Sequence, residues 1–353
     1  MQSLRPTLMA ELLHFVGDPQ RQTNLAHKAI DPQVLCQLAV SSAQMLQALM
    51  DHVKYKCNQV TTSVNDVFII YEKVNLTGHS VQFCEDYHVK ALLKIAGQNI
   101  RNIRESVPSD AWLDPFVNGL SQNNNCLIHE NAGEKVFEAY AKGNDEFPEI
   151  EAPEFLNRPW KPSMLNIVKS RRIRRLSIDP LLFRGNDFMK PIGNLEIEKL
   201  HFKQAGAVIK TNIFQHYRPK MHALKELNCE YEVHTDVICN MMTLYSEVGA
   251  ISFQHGVIPE PIHAASFDEV IDDMKESVSK LWITMMKYPG QNVKINARQY
   301  LYVRMPLNKL RKICKKELRN YKHFNLRGGI ASLSRKVIGN KELTVSLFYW
   351  NRW

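Results

Sequence analysis

Residues 266–288 read SFDEVIDDMKESVSKLWITMMKY. Phe267, Val270, Met274, Val278, Leu281 and Met285 recur at steps of three and four, which lays one apolar stripe along a helix and puts acids and lysines on its other side. Ser266 and Glu269 have capping-box spacing, in which each side chain satisfies a free amide at the helix start. A stripe of that length must be buried, so the chain is expected to build its core around helices.

Other segments repeat the pattern. In 31–56, Asp31 is a good N-cap and Pro32 a good first residue, and Leu35, Leu38, Met45, Leu49 and Val53 follow at helical spacing. Helices are also expected over 86–107, 112–120, 134–142, 163–178 and from about Pro306 to Tyr321. DVFIIYEKV and SVQF around NLTGH predict a β-hairpin, VKINARQYLYVRM a strand, and ELTVSLFYWNRW a β-prone tail. No internal repeat and no low-complexity segment is evident. The expected fold is mainly α with a minor β component: two helical lobes, a β-hairpin in the first, and a short C-terminal strand or arm. Residues 1–145 are the first lobe, 146–162 an acidic Pro-rich linker, 163–340 a basic second lobe, and 341–353 an aromatic arm.

Charge is distributed unevenly over the 353 residues, whose formal net charge is +9. Residues 1–150 hold 12 Lys and Arg against 17 Asp and Glu, whereas 301–353 hold 13 against 2. A basic end after an acidic beginning points to an anionic partner or to head-to-tail contact between copies. Seven cysteines without paired spacing read as reduced thiols, in a cytoplasmic or nuclear protein. No apolar run is long enough for a membrane span, and the first residues lack signal-peptide anatomy.

Two basic clusters carry the functional reading. KLRKICKKELRNYKHFNLRGG, residues 309–329, has eight Lys or Arg against one Glu. On a helix Leu307, Leu310, Cys314, Leu318 and Tyr321 face inward, while Lys309, Lys312, Lys316 and Arg319 share another face; Lys315, Lys322 and Arg327 add to the charge. Like charges at those spacings repel by roughly a few tenths of a kcal/mol per pair, a cost that an external anion would offset. The second cluster, Lys169, Arg171, Arg172, Arg174 and Arg175, is rich in the guanidinium forks that grip phosphate. It also fits a nuclear-localisation signal, and Arg-Arg-Leu-Ser makes Ser177 a kinase-type modification site whose phosphate would oppose anion binding. Aromatics interleave with charge in RPWKP, FQHYRPK and NYKHF, which nominates Tyr217 and Tyr321 for base stacking.

Catalytic signatures are missing: there is no Walker loop, Rossmann glycine fingerprint, Gly-x-Ser-x-Gly or His-Glu-x-x-His. His216, His222, Cys229, His234, Cys239, His255 and His263 match no common zinc spacing, so neither a metal nor a cofactor is expected. Phe348, Tyr349, Trp350 and Trp353 crowd the tail, which either adds a strand to its own sheet or, as preferred here, docks as an arm into a neighbouring copy.

These features together give the expectation of a non-enzymatic, self-assembling protein that binds single-stranded nucleic acid, RNA rather than DNA, through a basic cleft. In architecture this resembles viral nucleoproteins, whose helical lobes clamp RNA. The alternatives are a self-assembling scaffold for acidic protein partners, or a nucleic-acid-processing enzyme.

Overall fold

The computed structural model describes residues 43–56, 59–62, 66–72, 77–82, 87–103, 114–152, 161–178, 195–203, 223–257, 267–301, 307–324 and 330–349. Eight helices are described: α1 (Ala43–Lys56), α2 (Tyr87–Asn99), α3 (Asp114–Leu120), α4 (Glu134–Gly143), α5 (Pro162–Lys169), α6 (Thr235–Leu244), α7 (Phe267–Lys287) and α8 (Leu307–Glu317). The strands are β1 (Gln59–Thr62), β2 (Asp66–Glu72), β3 (Thr77–Gln82), β4 (Asn102–Ile103), β5 (Leu127–His129), β6 (Glu146–Ala152), β7 (Arg172–Ile178), β8 (Glu196–Phe202), β9 (Glu226–Val233), β10 (Ala250–Val257), β11 (Asn292–Leu301), β12 (Lys322–Phe324), β13 (Ile330–Ile338) and β14 (Lys341–Tyr349). The chain divides into two compact units, with the main cut between Leu176 and Ser177.

The expectation of a mainly α protein is overturned: strands are as prominent as helices, most pair in parallel, and the fold is α/β. In the first unit the strand order is β3-β2-β1-β4-β5-β6-β7, with an antiparallel β1–β2–β3 edge and parallel pairing from β1 through β4 and β5 to β6. In the second it is β8-β9-β10-β11-β14-β13-β12, parallel from β8 to β14 and closed by antiparallel β13 and β12. The predicted hairpin is β2–β3, and α3, α4, α7 and α8 fall where helices were expected. Residues 163–178 instead split into the end of α5 and all of β7, and the expected linker at 146–152 is β6. The N-terminal part of the helix predicted at 31–56 lies outside the described residues.

Successive parallel strands align one apolar pattern, and this is an internal repeat that the sequence reading missed. Each copy has three apolar positions at steps of three and two: Phe147, Ile150, Ala152; Ile173, Leu176, Ile178; Ile197, Leu200, Phe202; Leu224, Leu227, Cys229; Val248, Ile251, Phe253. All fifteen side chains are buried. The copies follow one another at intervals of 24 to 27 residues, then one of 42 to Val293 and Ile295. Register makes these columns continuous. Leu200, Leu227, Ile251 and Val293 are neighbours on adjacent strands, as are Phe202, Cys229, Phe253, Ile295 and Leu343. Ile103, Ile128 and Ile150 form the matching column in the first unit. Each buried large side chain contributes roughly 1.5–3 kcal/mol, and no repeat can bury its face without a neighbour.

One helix per strand raises a spacing problem, because strands lie about 4.8 Å apart whereas helices usually pack at 8–10 Å. The first unit meets it with glycine. A side chain on Gly97 of α2 would collide with the Phe116 carbonyl of α3, and one on Gly119 of α3 with the Lys94 carbonyl of α2. Gly143, at the end of α4, lies just as close to the backbone of Ser121.

Candidate functional site

The two basic clusters have different surroundings. In the first unit, Arg171 donates from Nε to the Asn144 carbonyl (3.0 Å) and from Nη2 to that of Ala141 (3.0 Å). These are carbonyls at the C-terminal end of α4, where helix geometry leaves acceptors open and a cation is favoured. Arg174 Nε is 2.8 Å from Glu146 Oε1, and Arg175 Nε is 3.6 Å from Glu149 Oε1, both on β6. Arg172 is half-buried and its backbone amide bonds to Asp145. Lys169 is exposed in the last turn of α5. The arginines of this cluster hold strand and helix together.

Ser177 is 1 % exposed, with Oγ 3.5 Å from Nδ1 of the equally buried His201. The folded unit therefore keeps that hydroxyl away from a kinase.

On α8 the pattern is otherwise. Lys312, Lys315 and Lys316 are exposed, as are Arg319 in the following turn and Lys322 at the start of β12. Lys309 lies on the same helix. Among the described residues, Lys312, Lys315, Arg319 and Lys322 form no ion pair, and Lys316 has only Glu317 at 3.8 Å. Glu317 is also engaged by Lys275 of α7, 2.9 Å away. Leu318 is buried and fixes the inward side of this segment.

Beside this surface the Trp282 and Tyr321 rings meet edge to face at 6.5 Å, with Lys336 Nζ 3.9 Å from the Trp282 centroid. Burial pushes the Tyr321 hydroxyl up to about 12.

The expected exchange arm is, over Lys341–Tyr349, an inner strand of its own sheet. It pairs with β11 on one side and β13 on the other, and Leu343, Val345 and Leu347 are buried. Phe348 sits opposite Tyr300 and Ile330, and Tyr349 opposite Leu301. Trp350, Trp353, Tyr217 and Arg327 lie outside the described residues, as do His216, His222 and His263. His255 is held by Val233 O (2.8 Å at Nδ1) and Thr235 Oγ1 (3.3 Å at Nε2).

The sequence reading did not assign the outward row of the second unit's sheet. Lys294, Asn296 and Arg298 on β11 alternate with buried Val293, Ile295 and Ala297. That polar–apolar alternation in VKINAR was the available signal. No helix among the described residues is long and apolar enough to cross a membrane. No family model matches the chain, and no curated protein or solved structure matches it.

Proposed function

We propose that this chain is a non-enzymatic binding protein whose second unit takes a polyanion, single-stranded nucleic acid, on the exposed face of α8 and the start of β12. One observation carries the reading: Lys312, Lys315, Arg319 and Lys322 are exposed without carboxylate partners among the described residues, whereas the arginines at 171–175 are tied into their own unit. Lys312, Lys315 and Lys316 stand at i, i+3 and i+4, so one face of α8 aligns them along about 6 Å, and Arg319 follows in the next turn. Such a row follows a phosphate backbone without reading bases. Cys229 and Cys239 form no disulfide among the described residues, which supports a reducing cytoplasmic or nuclear compartment.

A second reading, an acidic protein surface as partner, is favoured by the predominance of lysine on this face. An ammonium is a point charge that accepts carboxylate as readily as phosphate.

The test is binding of a labelled single-stranded RNA across a salt series. Wild type should show a log–log slope of roughly −0.7 per phosphate neutralised, and Lys312→Ala/Lys316→Ala/Arg319→Ala should lower both affinity and slope. A folded triple variant that binds like wild type overturns the assignment to α8. Displacement of the RNA by polyglutamate at equal charge moves the reading to an acidic protein.

A further inference from the structure

Parallel sheets are normally covered on both faces. Among the described residues, the second unit's sheet buries large apolar side chains on one face only. On β10, β11 and β14 the buried residues Ile251, Phe253, Val293, Ile295, Leu343, Val345 and Leu347 all point to the helix side. That side is identified by Lys336 of β13, the register neighbour of Leu343, which reaches Trp282 of α7. The opposite face carries Ser252, Gln254, Gly256, Lys294, Asn296, Arg298, Glu342, Thr344 and Ser346, and half-buried Phe348 follows beyond Ser346. Lys294, Arg298 and Arg335 are exposed there, and Gln254 and Asn296 are half-buried.

Register assembles one row across five strands of this face. Gln254 is opposite Asn296, Asn296 opposite Thr344, Thr344 opposite Arg335, and Arg335 opposite Lys322. At about 4.8 Å per strand the row is about 19 Å long. It begins at Lys322, directly after the α8 segment, with two cations, and ends in two amides. The cation end is itself informative. Like charges directly opposite one another in an antiparallel pair destabilise it, and Lys322 faces Arg335 in that relation. Glu342 relieves only Arg335, whose Nη2 donates to Oε2 at 2.7 Å, while Thr344 Oγ1 donates to Oε1 at 3.1 Å. That carboxylate is thus already committed, and Lys322 forms no ion pair with a described residue.

The far end of the row has a boundary. Glu232 of β9 crosses above Gly256, where any side chain would collide with it, and comes within 3.7 Å of Arg298 Nη1. Glu230 lies exposed on the same strand. Carboxylates beyond β10 repel phosphate, so an anionic strand crossing this face would stop at Gln254.

We propose that this row is the base-reading half of the site begun on α8. A single strand of nucleic acid would run from the α8 lysines, on the helix side, round the β12 edge to Lys322 and Arg335, which hold phosphates, and onto Asn296 and Gln254, whose amides hydrogen-bond base edges. The proposal rests on the function proposed above. Cations fix position and register, whereas amides distinguish bases: Asn296 has a donor and an acceptor, and Gln254, whose Oε1 is buried, would use its Nε2 donor.

The experiment titrates wild type and variants with labelled single-stranded RNA homopolymers, about twelve nucleotides long, at several salt concentrations, with circular dichroism as the folding control. Lys322→Ala should weaken binding to every homopolymer and reduce the slope by about 0.7. Asn296→Ala/Gln254→Ala should leave the slope unchanged but reduce the preference among homopolymers, by roughly tenfold or more. If these variants match wild type while the α8 triple variant is impaired, the sheet face is not part of the site and the function proposed for α8 stands. A folded wild type that ignores every homopolymer overturns both.

Discussion

Gly97 and Gly119 offer a sharp test of how the first unit is built, because two opposing effects of known size meet there. Replacing Gly97 by Ala should gain about 1 kcal/mol in helix propensity. The new methyl group, however, falls on the Phe116 carbonyl, and relieving that overlap requires α2 and α3 to part by on the order of 1 Å. Overpacking of this kind costs roughly 1–3 kcal/mol. Phe116, Leu120, Leu93 and Ala96 are all 3 % exposed or less, and a gap of that size forfeits about a quarter to a half of each contact across it. Losing even a quarter from two large side chains adds roughly 1 kcal/mol. The net expectation is destabilisation by about 2 kcal/mol.

The assay is urea denaturation followed by amide exchange in α2 and α3, since two units need not unfold together. Gly97→Ala and Gly119→Ala should each shift the first unit and leave α7 and β11 unaffected. The double variant should cost less than the sum of the singles. A Cβ on Gly119 would also lie 3.1 Å from Gly97 Cα, so helices already parted by one methyl group accept the other more easily. Stabilisation by about 1 kcal/mol in either single variant would show that propensity alone operates and that these helices do not touch.

Two further outcomes concern the second unit. Burial holds the pKa of His255 below its ordinary value, so the unfolded chain takes up a proton first as pH falls. Stability should therefore decline as pH drops below about 6.5 and level off only below the folded pKa, with a slope of at most about 1.4 kcal/mol per pH unit. Urea midpoints between pH 5 and 7.5 should show a smaller slope for His255→Gln than for wild type, and equal slopes would remove His255 as the cause. Deleting 340–353 takes away β14 and with it buried Leu343, Val345 and Leu347. At roughly 1.5–3 kcal/mol each, this approaches the whole stability of a domain. Loss of amide protection in β10 and β11 is expected, and a truncated chain that stays folded would return the tail to the role of an arm.

What the sequence disclosed followed from how each element distributes its apolar residues. The α7 stripe runs through Met274, Val278, Leu281 and Met285, and a pattern that long has one reading. β11 and β14 were legible because Val293, Ile295 and Ala297, and Leu343, Val345 and Leu347, alternate over enough residues to show a period of two. The inner parallel strands were not legible individually. Ile150 and Ala152, or Leu227 and Cys229, provide two positions each, and the third apolar residue precedes them by three, a helical step. That mixture of steps led 163–178 to be read as one helix although it turns into β7 at Arg172. The signal lay in recurrence: the same three-position pattern returns five times from Phe147 to Phe253, with residue types varied enough to hide it.

The same period decides which charges are available for a partner. Ion pairs between adjacent strands join residues about one repeat apart: Glu146 with Arg174, Glu149 with Arg175, Glu198 with Lys225, and Lys199 with Glu226. Within a stack of repeats, a cation is neutralised when the preceding or following copy carries an acid at the matching position. The arginines at 174 and 175 meet that condition, which is why a run of basic residues there is structural. Lys312, Lys315, Arg319 and Lys322 escape it among the described residues: the stack ends in an antiparallel closure, register sets Lys322 against Arg335 instead of an acid, and Glu342 pairs with Arg335. A terminal element of a repeat stack has one side without a following copy, and its charge is not cancelled by the rule that governs the interior. The excess of cations after residue 300 is thus a property of where the repeats stop. It leaves exposed cations on α8 and at the start of β12, and these are the residues that the proposed polyanion site uses.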